Sequence, residues 1–352
     1  MVRGPVGTHD GSVPQATRDR RPFLVWGRRV GLLLVTVVVA EYAVVRLGVG
    51  ARASWDSAWS ATPWLLLVGL GLELASFVSF SRLTAVLLAD GSRVRFSTVL
   101  AVDLTGNGVA HVVPGGGAAA AGFRFHLLER VGVPRVRAVS AAAVESAVTT
   151  LWLVAALGLG LLVAVPLPAT RPFLRTALVA AAVILVCFGG LVAVLAVRPD
   201  HVVIVTHAIA DRVPGLKAPW FEALVAGLVR QVHVLVADRR AAARALSWGL
   251  AYWGLDALAL YVMLLAFGVT PNPGGVLVTY ALCSLVALVP LTPGGLGFVE
   301  TVAVPVLLSF GVPRTAALLG VLSWRLVQFW LPIPLAGAAY LWLRLRTAVS
   351  YS

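Results

Sequence analysis

Long apolar blocks alternate along the chain with short polar stretches that carry arginine. Apolar blocks cover roughly residues 30–49, 61–80, 136–165, 173–197, 246–268 and 314–343. Each approaches or exceeds the roughly 20 residues that a helix needs to cross a hydrocarbon core. Two further regions, 98–130 and 275–310, are patterned differently. Each holds two shorter apolar arms joined by Pro114-Gly115-Gly116-Gly117 or by Pro293-Gly294-Gly295. Proline removes a helix hydrogen bond and adjacent glycines hold helix poorly. Each region is therefore expected to be a broken helical hairpin, re-entrant or fully spanning. The pattern predicts an all-α integral membrane protein with about six full spans and two broken hairpins.

Polar boundaries divide the chain. Residues 1–29, rich in Gly, Pro and Arg, are expected to form a disordered basic tail. No cleavable signal peptide is evident, and block 30–49 reads as a signal-anchor helix. The membrane domain is expected over 30–345, with a first half at 30–165 and a second at 173–343, and residues 346–352 as a short tail. Its one long loop, 198–245, contains Trp220, Phe221, Leu224, Val225, Leu228, Val232 and Val236 at helical spacing. That stretch predicts an amphipathic helix, lying on the leaflet or packed on the protein's own underside.

The chain also repeats itself. Val113-Pro114-Gly115-Gly116 corresponds to Thr292-Pro293-Gly294-Gly295, and Gly132-Val133-Pro134-Arg135 to Gly311-Val312-Pro313-Arg314, both at an offset of 179 residues. Leu128 falls on Leu307, Ala138 on Ala317 and Gly158 on Gly337 in the same register. Each half reads span, span, broken hairpin, span. An odd number of crossings separates matched elements, so the halves are expected to be inverted. Inverted halves with Gly/Pro-interrupted segments at matching positions point to an alternating-access site near the midplane.

Composition agrees with a membrane location. Hydrophobic residues make up 59% and charged residues 12%, against roughly 25% charged in soluble domains. The net charge of +13 comes from 27 arginines and Lys217. These residues sit in short clusters between apolar blocks, apart from Arg325 inside a span, and form no basic face or run, which favours topology signals over nucleic-acid binding. With a cytoplasmic N-terminus, 22 of the 28 fall in the segments 1–29, 81–97, 124–137, 198–245 and 344–352. Both termini are thus expected in the cytoplasm of a cell whose cytoplasmic membrane holds the protein. Arg124 is counted in that set. Cys187 and Cys283 each lie in an apolar block and read as packing residues. No metal site or cofactor is expected.

The segment Leu291-Thr292-Pro293-Gly294-Gly295-Leu296-Gly297-Phe298-Val299-Glu300, followed by Gly311 and Arg325, resembles the membrane domain of the lysylphosphatidylglycerol synthase/flippase family. A weaker match is Pro114-Gly115-Gly116-Gly117 with Arg124, Leu127 and Gly132-Val133-Pro134. The resemblance covers roughly residues 30–345 and implies a polytopic, lipid flippase-like fold. Many members carry an acid soon after the first Pro-Gly motif, whereas Ala118 to Gly122 hold none here. The resemblance includes no aminoacyl-transfer domain, so lipid aminoacylation by this chain is not expected.

Charges inside spans are costly and usually face a partner or a wet cavity. Arg325, near mid-depth of its block, and Glu300, one turn past the second break, are the leading transport-site candidates. A guanidinium holds a phosphate bidentately, although a Glu300–Arg325 pair that only locks helices is the plain alternative. Glu145 lies at matched depth and is expected to line the same cavity, since its repeat mate Trp324 neighbours Arg325. Arg124 reads mainly as a topology residue with a lesser prospect of meeting a headgroup. Glu73, Asp256 and His111 are secondary candidates, and Glu41 and Asp103 weaker ones. The Pro114-Gly115-Gly116 and Pro293-Gly294-Gly295 breaks free backbone groups that lipid cannot satisfy, and each following arm offers an N-terminus suited to an anion. A tight packing turn is the alternative there.

The expected function is non-enzymatic: translocation or binding of an anionic or prenyl-phosphate lipid, with membrane lipids as partners. A structural subunit beside a lipid-modifying or glycosyl-transfer enzyme is the alternative. An intramembrane headgroup enzyme using Glu145 or Glu300 as general base is a weaker one.

Overall fold

The computed structural model describes residues 61–89, 94–113, 116–164, 238–287 and 297–349, together with residues 190, 226, 227, 229, 230, 232, 233 and 237. All of them belong to one unit, Val45–Ser352. The expected span 30–49, all of 173–197 except residue 190, the 1–29 tail and most of the 219–236 amphipathic stretch lie outside the described residues. So do Glu41, Cys187, Pro114, Gly115, Pro293, Gly294 and Gly295.

Among the described residues all regular structure is helical. The helices are α1 Pro63–Leu88, α2 Phe96–Val112, α3 Gly116–Arg130 and α4 Arg135–Ala164 in the first half. The second half has α5 Arg239–Ala266, α6 Pro273–Ala287, α7 Phe298–Ser309 and α8 Arg314–Arg325. A five-residue π turn, Leu326–Trp330, then leads into α9 Pro332–Val349. Pro63–Leu88, Arg135–Val163, Arg239–Ala266 and Arg314–Arg346 are long and apolar enough to cross a membrane. The protein is a multi-pass membrane protein. The arms α2 and α3 pack together, as do α6 and α7. At about 1.5 Å per residue these arms fall short of a hydrocarbon core about 30 Å thick.

Some boundaries differ from the expected ones. α1 continues past residue 80 to Leu88. The polar run that seemed to end the span is absorbed instead: the Ser79 hydroxyl donates to the Ala75 carbonyl at 2.8 Å, and Ser81 and Thr84 are buried. The exposed Arg82 stacks over Phe96 at 3.8 Å. α5 starts at Arg239 rather than at 246, because the Asp238 carboxylate caps it by accepting from the Arg240 and Ala241 N–H groups. α9 runs into the expected C-terminal tail as far as Val349. In the 219–236 stretch, Val232 packs against the first-half core.

The repeat is visible in backbone detail. α3 ends with Gly132 at φ +89°, and α7 ends with Gly311 at φ +83°. The Val133 N–H donates to the Leu128 carbonyl at 3.0 Å and the Gly132 N–H to Glu129 at 3.0 Å. The Val312 N–H donates to Leu307 at 3.1 Å and the Gly311 N–H to Leu308 at 3.0 Å. Both are Schellman caps, with the associated apolar contact made by buried Val133–Leu128 and Val312–Leu307. All four matched positions differ by 179 residues.

Packing follows the same exchange. α1 packs on its repeat mate α5. The first-half arm α2 packs on α9, and the second-half arm α6 packs on α4. Close approach is built in at the α2–α9 crossing, where a Cβ on Gly108 would overlap that of Ala336 and crowd the Pro332 carbonyl at 3.1 Å. One core lies around α5 to α8. A second joins α1 to α4, with Ala245 and Leu343. A third, of Leu153, Leu157, Leu161, Val278 and Ala281, seals α4 against α6.

The expected 314–343 span is not one continuous α-helix. Pro332 and Pro334 each lack an N–H, and their rings crowd the carbonyl four residues earlier. Those carbonyls belong to Gln328 and Trp330, and the backbone widens there into the π turn.

Candidate functional site

Two arginines anchor the polar interior. Arg124, in the middle of α3, reaches into the space between α1, α2 and α4. Its Nε donates to Asp103 Oδ1 at 2.7 Å. Its Nη1 and Nη2 donate to the two Glu145 oxygens at 2.8 and 2.7 Å. Nη2 also meets the Thr84 hydroxyl, which in turn donates to Glu145 Oε2. The side chain is 12% exposed. This corrects the topology count, in which Arg124 was a cytoplasmic-loop residue: two buried carboxylates hold it inside the protein. The same contacts correct the expected place of Glu145, which meets Arg124 rather than Arg325. Asp103, ranked low from the sequence, is a direct partner of the arginine. Thr84 was not singled out at all.

Arg325 closes α8 and is 2% exposed. Its Nε donates to Glu300 Oε1 at 2.9 Å and its Nη1 to Gln328 Oε1 at 2.7 Å. The guanidinium lies 5.1 Å from the Phe329 ring centroid. Glu300 stands in the first turn of α7, just after its N-cap Gly297. The expected Glu300–Arg325 pair is thus formed, and Gln328 of the π turn joins it.

Each arginine borders a cavity. One of about 400 Å³ is lined by Phe80, Asp103, Asn107, Arg124 and Tyr252, among others. A smaller one, about 130 Å³, is lined by Arg325, Trp324, Gln328, Cys283, Trp253 and again Tyr252. Leu104 and Ala120 in the first occupy the repeat positions of Cys283 and Val299 in the second. Tyr252 lines both. No local sequence pattern marked it, because its importance comes from where α5 crosses the two halves.

A third polar group lies on the α1–α5 seam. Asp256 accepts from Trp324 Nε1 at 2.6 Å and from the Tyr280 hydroxyl at 2.8 Å. Glu73, 1% exposed, faces it. His111 lies in the last turn of α2; its Nδ1 lies 2.7 Å from the Asn107 carbonyl, and its ring packs edge-on to Phe329. Gly116 begins α3. Cys283 is buried, with Sγ 3.6 Å from the Val299 carbonyl.

The sequence matches the family described as lysylphosphatidylglycerol synthase TM region over residues 30–336. The chain belongs to this family. It is also similar to two archaeal proteins named UPF0104 membrane protein. That of Methanothermobacter thermautotrophicus is 28% identical over 131 residues, 36% of this chain and 39% of the relative. That of Pyrococcus horikoshii is 33% identical over 85 residues, 24% of this chain and 25% of the relative. The chain therefore matches well under half the length of either. Family membership agrees with the span pattern and with the motif at 291–300. Every charged group described above lies within the family match.

Proposed function

We propose that the protein moves a phosphate-bearing or otherwise anionic lipid between leaflets by alternating access, without catalysing a reaction. The observation that carries this reading is the pair of arginine-walled cavities, one beside each broken hairpin, that share Tyr252 as a common wall. A guanidinium matches the geometry of a phosphate. Carboxylates hold both arginines. An arriving phosphate would replace Glu300 on Arg325, or Glu145 on Arg124, so that neither cation is left buried and bare. Carboxylates so displaced need somewhere to go, and the cavities provide space. The lipid tails remain in the bilayer while the headgroup crosses.

The test is leaflet exchange in proteoliposomes over a panel of fluorescent lipids, with phosphatidylglycerol and a prenyl phosphate against phosphatidylcholine. Exchange of the anionic lipids is expected to exceed that of phosphatidylcholine. Arg325→Lys keeps the charge but loses the planar fork, and should slow exchange in a folded protein. Normal exchange in that variant rejects Arg325 as a headgroup ligand.

A second reading is favoured by one observation: Arg124 is held by two carboxylates at once. Such a cluster suits a helix lock in a non-catalytic subunit that supports a lipid-modifying or glycosyl-transfer enzyme. Absence of exchange for every lipid in the panel would favour it.

A further inference from the structure

Hydrogen-bond accounting on the α1–α5 seam has an unequal result. Asp256 is supplied with two donors, Trp324 Nε1 and the Tyr280 hydroxyl, one on each oxygen. It is equipped to be an anion. Glu73 is supplied with none, and both of its oxygens are buried without a donor. What faces it is the carboxyl of Asp256. A buried carboxylate with no donor, opposite a second carboxylate, is among the costliest arrangements a protein can hold. A carboxylic acid in the same place is satisfied, because its O–H becomes the donor that the site lacks.

We propose that Glu73 and Asp256 form a proton site holding one exchangeable proton, and that this proton is the ion coupled to lipid movement. The second clause rests on the transport reading above; the first does not. The site is placed for coupling. α1 and α5 are repeat mates and pack on each other more extensively than any other described pair. Asp256 shares its neighbourhood with both arginine cavities through Tyr252 and Trp324. The groups facing the pair are Tyr252 on α5, Tyr280 on α6 and Trp324 on α8, with Arg325 within electrostatic reach of Asp256. Glu145 on α4 is within electrostatic reach of Tyr252.

The step is a simple transfer. The Glu73 O–H bond breaks, water accepts the proton, and a second carboxylate appears beside Asp256. The α1–α5 seam then holds two facing anions and is unfavourable until a proton returns. If water reaches the pair from opposite membrane sides in the two states, one proton crosses per cycle.

The experiment is infrared spectroscopy of the full-length protein in lipid at neutral pH. A carbonyl stretch of a protonated carboxylic acid is expected, shifted in deuterated water and in protein carrying ¹³C-carboxyl glutamate. It should vanish in Glu73→Gln, whose amide supplies the same donor to Asp256. The isotope arms use the wild-type chain and identify a protonated glutamate even if that variant does not fold, and Glu73→Asp should move the band out of reach of the glutamate label. A glutamate-sensitive band that persists in Glu73→Asp assigns the proton elsewhere and overturns the site. Absence of the band, or a band insensitive to glutamate labelling, overturns the proton site and leaves lipid exchange standing. In proteoliposomes, an imposed pH gradient should drive wild-type exchange and have no effect on Glu73→Gln. Exchange that ignores the gradient in wild type overturns the coupling, while exchange absent under every condition overturns the transport reading and leaves the infrared result intact.

Discussion

Arg325 and Glu300 are expected to fail singly and to tolerate joint replacement. The arginine is 2% exposed, and removing its carboxylate leaves a buried cation. Breaking such a pair costs about 3–5 kcal/mol. Glu300→Gln should therefore lower the thermal unfolding midpoint, read by tryptophan fluorescence in detergent, and Glu300→Gln with Arg325→Gln should recover much of the loss. A Glu300→Gln protein of unchanged stability and lost exchange would instead place Glu300 on the transport path. Arg124 makes a stronger version of the same prediction. Arg124→Gln strands Asp103 and Glu145 together, and should cost more stability than Glu300→Gln in the same assay. Arg124→Lys should restore only part of it, since one ammonium cannot reach Asp103, Thr84 and both oxygens of Glu145 at once.

At the scale of elements, matched hinges should respond alike. Gly132→Ala and Gly311→Ala each force an L side chain into a left-handed backbone, costing about 1–2 kcal/mol. Equal losses in chemical or thermal unfolding would support the equivalence of the two caps; a loss at only one would contradict it. Gly108→Ala should be more damaging, because it pushes α2 off α9, and Ala336→Gly should relieve part of the strain. The four spans within the described residues were legible in the sequence because bilayer thickness imposes a length on apolar runs. The hinge pair was legible because glycine and proline mark backbone geometry directly. The Glu300–Arg325 pair was legible from its two in-span charges, but the Arg124 cluster was not. Arg124 lies 21 residues from each of its two acids, and each partner sits on a different helix. Local pattern cannot show which side of α3 turns inward, so a buried arginine near a chain reversal looked like a positive-inside signal. The end of α1 was misjudged for a related reason: Ser81 and Thr84 are polar in composition but face protein.

For the whole molecule, the inversion expected from the sequence makes a direct prediction. Arg135 and Arg314 follow the two matched hinges and are both exposed. Single cysteines at these positions, in a chain with Cys187 and Cys283 replaced by alanine, should react with an impermeant thiol reagent from opposite membrane faces. Labelling from one face would end the inverted reading. The π turn at Leu326–Trp330 carries a further consequence. An i→i+5 turn accommodates one residue more than an α turn, and one residue of α-helix is about 100° of rotation. Rewinding that turn into α-helix, with its ends held in place, would swivel α8 about its axis relative to α9. Arg325 is the last residue before that turn, so such a rewinding would redirect its guanidinium by about 100° relative to α9.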